Sequence, residues 1–234
     1  MQTVRFGTDH YEPVLKMNFI HHEMDNSAKK IAEYLLQIKA IKLQPSNPFT
    51  WASGWKSPIY CDNRRTLSFP EVRSYIRDSF ATAISIYYPG TELIAGVATG
   101  AIAHGVLVAE KLGLPFIYVR PEAKGHGLGN RIEGFFEKGQ KLVVIEDLIS
   151  TGASSLGAIK ALREAGCEIL GMAAIFTYEF ARSADGFKEA ACELHALSNY
   201  TTLVLTAVDT GYITDDDVET LKKWRLNPAG WGIG

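Results

Sequence analysis

Two adjacent carboxylates stand out because they follow four apolar residues and precede a loop of small residues. The acids are Glu146 and Asp147, and the segment 148–155 holds three serines, a threonine and a glycine. Such a loop brings backbone N–H groups together at the start of the next helix, where they favour an anion. Adjacent buried carboxylates also need hydroxyl or cationic partners. The pattern therefore predicts a ligand that carries hydroxyls and phosphate, such as a phosphorylated sugar.

A second segment combines positive charge with glycine. Residues 120–131 include Arg120, Lys124, His126 and Arg131, and four glycines fall within 125–134. A flexible cationic loop beside a phosphate site could open for exchange and close over a diphosphate to exclude water. The alternative is a surface loop whose cations only improve solubility, and the acidic motif in the same chain disfavours it.

The elements that must position these residues alternate between strand and helix. Short apolar runs at 93–97, 116–119, 142–145 and 169–176 predict strands, and helices are predicted over 70–88, over 101–112 and up to residue 165. This alternation predicts an α/β fold whose sheet is mainly parallel and flanked by helices. In such a sheet the ligand lies beyond the carboxyl ends of the strands.

The N-terminal part is predicted to form a tail and a small cap. Residues 1–24 show few periodic apolar positions and are interpreted as a tail. Apolar spacing from Ser27 to Ile41 predicts a helix, with cap candidates at 25–27. Residues 25–234 are interpreted as one domain, of which about 25–65 forms the cap.

Composition excludes several classes of protein. The chain has 24 Lys+Arg, 26 Asp+Glu and 47% hydrophobic residues, which argues against a disordered chain and against a nucleic-acid groove. Its three cysteines match neither a disulfide framework nor a metal-binding pair, so we expect a cytoplasmic protein. No apolar run is long enough to span a bilayer. No Walker A string or GxGxxG motif is present, which disfavours nucleoside triphosphates and dinucleotides.

The acidic motif resembles the phosphoribosyl-diphosphate signature of the type I phosphoribosyltransferases. The resemblance implies that fold, with an N-terminal hood over the base. It assigns Glu146 and Asp147 to the ribose hydroxyls and makes Asp147 a catalytic candidate. It implies Mg²⁺ as cofactor, without a dedicated protein cage. The rest of the donor-binding motif is Leu148, Ile149, Ser150, Thr151, Gly152, Ala153 and Ser154.

The cationic loop resembles the mobile loop of the orotate phosphoribosyltransferases. The resemblance implies that Arg120, Lys124 and His126 contact the diphosphate, and that Lys124 and His126 stabilise its charge as it leaves. It also implies a homodimer in which this loop reaches the neighbouring subunit's site. One branch of the family has a second Lys where this chain has Pro121.

The segments 49–54 and 57–64 resemble the hood of the same enzymes. Ser150 and Lys56 are the candidates for contact with orotate. Two positions depart from some relatives, because Ala52 and Tyr178 stand where those relatives have a Lys and an Arg. The sequence therefore leaves open which group binds the carboxylate of orotate.

The resemblance as a whole predicts an orotate phosphoribosyltransferase of pyrimidine biosynthesis. Its substrates would be orotate and 5-phosphoribosyl 1-diphosphate, with neither nucleic acid nor a membrane as partner. Two alternatives stay open: a phosphoribosyltransferase for another base, and a non-catalytic regulator that senses the sugar diphosphate.

Overall fold

The computed structural model describes residues 11–50, 54–121 and 131–232, with the backbone alone for 11–23. The predictions for Ala52, Lys124 and His126 concern positions outside the described residues. Seven α-helices occur in the described part: α1 Tyr11–Gln37, α2 Pro70–Tyr87, α3 Ala101–Leu112, α4 Ala153–Glu164, α5 Ala181–Glu189, α6 Tyr200–Asp209 and α7 Asp215–Leu226. A 3-10 helix covers Asn63–Ser68. No helix among these residues is long and apolar enough to span a membrane.

A six-stranded sheet forms the centre of the described structure. Its strands, in spatial order, are β10 Leu194–Asn199, β9 Glu168–Thr177, β8 Lys141–Ile149, β5 Leu93–Val97, β6 Phe116–Val119 and β7 Ile132–Glu133. All neighbours are parallel except β6 and β7. The prediction of a mainly parallel sheet flanked by helices is confirmed.

Both faces of the sheet are buried, which explains why its strands are continuous apolar runs. On β8, Val143 and Ile145 belong to a core that also contains Ile31 and Leu35 of α1. Leu142 and Val144 point to the other face and pack in a second core with residues of α4. Alternate side chains of one strand thus hold helices on both sides.

The cap region consists of two short antiparallel pairs and the 3-10 helix. The first pair joins β1 Ile41–Leu43 to β4 Ile59–Cys61, and the second joins β2 Phe49–Thr50 to β3 Lys56–Ser57. The 3-10 helix follows β4 directly and contacts β8. This contact brings the cap to the strand that carries the acidic motif.

The described structure departs from the sequence predictions in several places. The helix predicted as far as Ile41 ends at Gln37, and Ile41 begins strand β1. Helix α1 begins at Tyr11, so residues 11–24 are helical where a tail was predicted. Strand β8 continues to Ile149 and includes both acids, because β8 and β9 stay paired as far as Ile149. Strands β7 and β10 were not predicted: the first has two residues, and the second contains a His, a Ser and an Asn.

Candidate active site

A cavity of about 640 Å³ opens at the carboxyl ends of β5 and β8. The described residues that line it come from three segments: 61–64 of the cap, 97–100 after β5, and the acidic motif with its loop. The motif contributes Glu146, Asp147, Leu148, Ser150, Thr151, Gly152, Ala153 and Ser154. The structure therefore brings nearly the whole predicted motif to one cavity, at the edge of the sheet expected for a ligand.

Glu146 is the buried member of the acidic pair. Its residue is 4% exposed, and its Oε2 accepts a hydrogen bond of 2.9 Å from Ser155 Oγ. Its Oε1 accepts a hydrogen bond of 3.1 Å from the backbone N–H of Asp147. Burial, and then the neighbouring Asp147 carboxylate, raise the pKa of Glu146 well above its usual range.

Asp147 is half-buried and its main chain is held from the cap. Its backbone carbonyl accepts a hydrogen bond of 2.6 Å from Asn63 Nδ2. Its carboxylate lies against Gly100, where an added Cβ would come within 3 Å of the carboxylate carbon and both oxygens. A glycine at the start of α3 therefore leaves the room that this carboxylate occupies.

The loop after Asp147 turns into helix α4. Gly152 is the N-cap of that helix and has a φ of 80°, in the left-handed region that glycine adopts without steric cost. The backbone N–H of Thr151 is bonded to Ser150 Oγ at 2.6 Å. The first-turn N–H groups and the helix dipole favour an anion here.

Ile149 is the one motif residue absent from the lining. Its side chain is fully buried in the core shared with α4. Its carbonyl accepts a hydrogen bond from the backbone N–H of Tyr178. Ile149 thus anchors the loop to the core and does not face the cavity.

Asn63 connects the cap to the acidic motif through a buried network. Asn63 is 1% exposed, and its Oδ1 accepts a hydrogen bond of 3.3 Å from the Cys61 thiol. Its backbone carbonyl accepts the Thr66 hydroxyl at 2.6 Å, and Thr66 Oγ1 lies 3.1 Å from His104 Nε2. Because the Thr66 hydrogen is already used, His104 Nε2 must donate. Burial lowers the pKa of His104 to about 4, so the ring is neutral at pH 7.

The sequence reasoning did not single out Asn63 or Arg64 as functional residues. Arg64 also lines the cavity, and its Nε donates to Asp62 Oδ1 at 2.6 Å. This hydrogen bond from Arg64 lowers the pKa of Asp62. The available signal was their place in the segment that resembles the hood.

The segment after β5 forms the third wall. Val97, Ala98, Thr99 and Gly100 line the cavity. Gly96, in contrast, serves packing, because an added Cβ would lie 3.0 Å from the Ala101 carbonyl and from the Phe116 ring. Of these two glycines, only Gly100 borders the site.

Comparison with known proteins identifies the family. The model of the phosphoribosyl transferase domain matches residues 71–198, more than half of the chain. An orotate phosphoribosyltransferase of Cytophaga hutchinsonii is 55% identical over 206 residues, covering 88% of this chain and 99% of the relative. One of Listeria monocytogenes is 53% identical over 204 residues, covering 87% and 98%. The chain belongs to the orotate phosphoribosyltransferase family.

Solved structures of the family share the fold. The orotate phosphoribosyltransferase of Aeropyrum pernix superposes with a TM-score of 0.68 at 26% identity, covering 78% of this chain and 99% of that one. The UMP synthase of Leishmania donovani gives a TM-score of 0.72 at 24% identity and covers 85% of this chain and 42% of that one. The prediction of the type I phosphoribosyltransferase fold is confirmed.

Three side chains that the family resemblance drew attention to lie apart from the described cavity lining. Lys56 is exposed on β3 and its Nζ donates to Thr50 Oγ1 at 2.9 Å. Arg120, at the end of β6, has its Nη1 3.6 Å from Glu133 Oε1. Tyr178 is 2% exposed and packs against the rings of Phe180 and Trp224. The roles predicted for Lys56 and Arg120, like those for Lys124 and His126, stay predictions.

Proposed function

We propose that this chain transfers the phosphoribosyl group of 5-phosphoribosyl 1-diphosphate to orotate, giving orotidine 5'-monophosphate and diphosphate in pyrimidine biosynthesis. The observation that carries the proposal is the juxtaposition of Glu146 and Asp147 with the loop 150–154 in one cavity. Hydroxyl-binding acids beside an anion cradle fit a ribose that carries a 5-phosphate. The names of the relatives add orotate as the acceptor.

The acids and the loop would hold opposite ends of the phosphoribosyl group. The carboxylate of Asp147 borders the cavity, whereas Glu146 is buried and held by Ser155. We assign both to the ribose hydroxyls, which can donate to a carboxylate. The backbone N–H groups at the start of α4, with Ser150, Thr151 and Ser154, would bind the 5-phosphate.

The reaction breaks the bond from the anomeric carbon to the diphosphate oxygen and forms a bond to N1 of the base. Orotate can enter as its anion, so no protein base is required. Charge develops on the departing diphosphate, and placed cations stabilise it. Lys124 and His126, with Arg120 at the start of the same loop, are the residues to which we assign this role.

Mg²⁺ fits the donor chemistry as the cofactor. The ion prefers carboxylate and phosphate oxygens and keeps several waters. The described residues hold no group of three or more metal-ligating side chains, so the substrate would supply most ligands, beside Asp147. When bound, Mg²⁺ would neutralise part of the diphosphate charge.

We also propose that the protein is cytoplasmic and that it forms a homodimer. Three free cysteines suit a reducing compartment. We propose that the cationic loop 120–131 of one subunit reaches the cavity of its partner.

A screen of acceptor bases tests the function. The purified chain is incubated with 5-phosphoribosyl 1-diphosphate and Mg²⁺, and diphosphate release is measured with orotate, uracil and hypoxanthine. We expect kcat/KM to be highest with orotate. A preference for hypoxanthine or uracil would reassign the base, and binding of the donor without turnover on any base would mark a sensor.

A further inference from the structure

The charges of the cavity pose a problem for an anionic acceptor. Its described lining contains three carboxylates, those of Asp62, Glu146 and Asp147, and a single cation, Arg64. We propose that Arg64 binds the carboxylate of the base and thereby selects orotate over uracil. This proposal rests on the proposed function and adds the residue that determines its specificity.

The position of the cap wall, residues 61–64 of the cavity lining, supports this assignment. The loop 150–154 is assigned to the 5-phosphate and the acids to the ribose hydroxyls, so the base must lie on the remaining side of the ribose. The hydrogen bond of 2.6 Å between Asn63 Nδ2 and the Asp147 carbonyl places the cap wall beside the ribose end. Arg64 is the next residue along that wall, and its charge acts on Asp147 as well as on Asp62.

The guanidinium of Arg64 has donors left for a ligand. Its Nε–H is used by Asp62, and among the described residues neither Nη has a hydrogen-bond partner. The side chain is 63% exposed, whereas that of Asp62 is 21% exposed, so the better-buried acid holds a group that faces the opening. A planar fork with two free nitrogen atoms matches a carboxylate.

Three other described residues that the family resemblance suggested are poorly placed to bind the carboxylate of orotate. Tyr178 stands where some relatives have an Arg, but it is buried in an aromatic cluster. Lys56 donates a hydrogen bond to Thr50 and lies outside the described lining. Arg120 lies near Glu133, outside the lining as well. Arg64 is therefore the cation that the geometry of the described cavity offers to the base.

Steady-state kinetics of Arg64→Gln test the proposal, with orotate and uracil as acceptors. We expect the KM for orotate to rise about tenfold or more, as for the loss of a charge-assisted hydrogen bond. The KM for the donor and kcat/KM for uracil should change less than about twofold, so the preference for orotate over uracil falls. Arg64→Lys should recover part of the orotate KM, because a charge remains without the fork.

Arg182→Gln is the matched control. It removes the same charge from an exposed position on α5, outside the described lining, and should leave the base preference unchanged. A rise in the donor KM with an unchanged orotate KM would assign Arg64 to the diphosphate and overturn the proposal. Equal losses for orotate and uracil would also overturn it. A wild-type chain that does not use orotate would overturn the proposed function and, with it, the assignment of Arg64 to the carboxylate of orotate.

Discussion

Glu146, which we assign to the ribose hydroxyls, is a buried carboxyl whose ionisation opposes the stability of the fold. Burial and Asp147 raise the pKa of its carboxyl above the ordinary 4.5. Between pH 4.5 and that raised pKa, the folded chain keeps a proton that the unfolded chain has lost. The free energy of unfolding therefore falls as the pH rises through this window, because the unfolded chain releases a proton that the folded chain retains.

Replacing Glu146 by Gln should therefore raise stability while it impairs the enzyme. The amide can still accept from the Asp147 N–H, and its NH₂ group can donate to Ser155 Oγ. We expect a higher melting temperature than wild type near about pH 8 and little difference near about pH 4, below the unfolded pKa. The KM for the donor should rise roughly tenfold, since an amide binds hydroxyls less strongly than a carboxylate.

Thermal unfolding at both pH values and donor kinetics measure these effects. Glu168→Gln, at an exposed carboxylate at the start of β9, is the control and should change neither quantity. A Glu146→Gln variant less stable than wild type near about pH 8 would contradict the account of the buried charge.

Asn63 is expected to act by positioning Asp147. In Asn63→Asp the ionised side chain would face the Asp147 carbonyl oxygen and repel it, whereas the protonated acid could donate to it. The activity of the variant relative to wild type should fall roughly tenfold near about pH 8 and recover as the pH is lowered. Titratable groups around the position are Asp62, Asp147, Cys61 and His104.

The kcat/KM for the donor, measured from about pH 8 to about pH 5.5 as a ratio to wild type, tests this role. Thr66→Val is the control because it removes the next hydrogen bond of the network but leaves Asn63 Nδ2 in place. Its ratio should be flat with pH. A flat ratio for Asn63→Asp as well would show that the bond to Asp147 does not position the acid.

At the scale of elements, periodicity predicted the buried strands and not the edges. The runs at 93–97 and 116–119 match β5 and β6 residue for residue. β10 was missed because it lies at the sheet edge, where polar residues such as His195 and Ser198 are tolerated. Helix α7 begins at a capping box formed by Thr214 and Asp217, a spacing that is visible in the sequence.

The contacts that complete the site could not be predicted from spacing. Asn63 and Asp147 are 84 positions apart, and Thr66 and His104 are 38 apart. The acidic motif could be recognised in the sequence because its residues are consecutive. The cap wall contacts this motif because the fold places the residues after β4 beside β8.

Gly100 at the start of α3 is expected to be required for Asp147. Its φ of −61° suits any residue, so steric contact with the Asp147 carboxylate is the obstacle to a side chain. Gly100→Ala should displace that carboxylate and lower kcat/KM for the donor roughly tenfold or more, as for a lost charge-assisted contact. Its free energy of unfolding should change by less than about 1 kcal/mol, since the neighbour is the end of a side chain.

Gly157 in α4 offers the matched glycine. An added Cβ there would find only Arg131 Nη2 at 3.7 Å among described atoms. Gly157→Ala should stabilise the chain by about 0.5–1 kcal/mol, the helix preference of Ala over Gly, without changing kinetics. Denaturant unfolding and donor kinetics on both variants separate the two cases. Equal activity of Gly100→Ala and wild type would refute the steric argument.

At the scale of the whole molecule, the site gathers segments from distant parts of the chain. The cap supplies Arg64, and β8 and the following loop supply the acids and the small residues that we assign to the 5-phosphate. The formal net charge of −2 conceals this separation, because the acids of the cavity and the cations of 120–131 nearly cancel in the sum. The described lining is rich in carboxylates, so a diphosphate requires cations brought to it from elsewhere.

Mixing two inactive variants tests whether those cations come from a partner subunit. Lys124→Ala lacks a loop cation, and Asp147→Asn lacks an acid that we assign to the ribose hydroxyls. If the loop acts across a two-fold dimer, a heterodimer has one site with both residues intact and one with neither. Random exchange at equal amounts makes about half of the dimers mixed, so activity should recover to about one quarter of the wild-type value.

Diphosphate release after refolding the two variants together measures this recovery, and each variant refolded alone gives the baseline. If the loop served its own subunit, every site in the mixture would lack one of the two residues and activity would stay at the baseline. A recovery near one quarter would instead mean that the carboxylate-rich cavity of one chain is completed by the positive loop of another. The dimer would then be a requirement of the charge balance at the site.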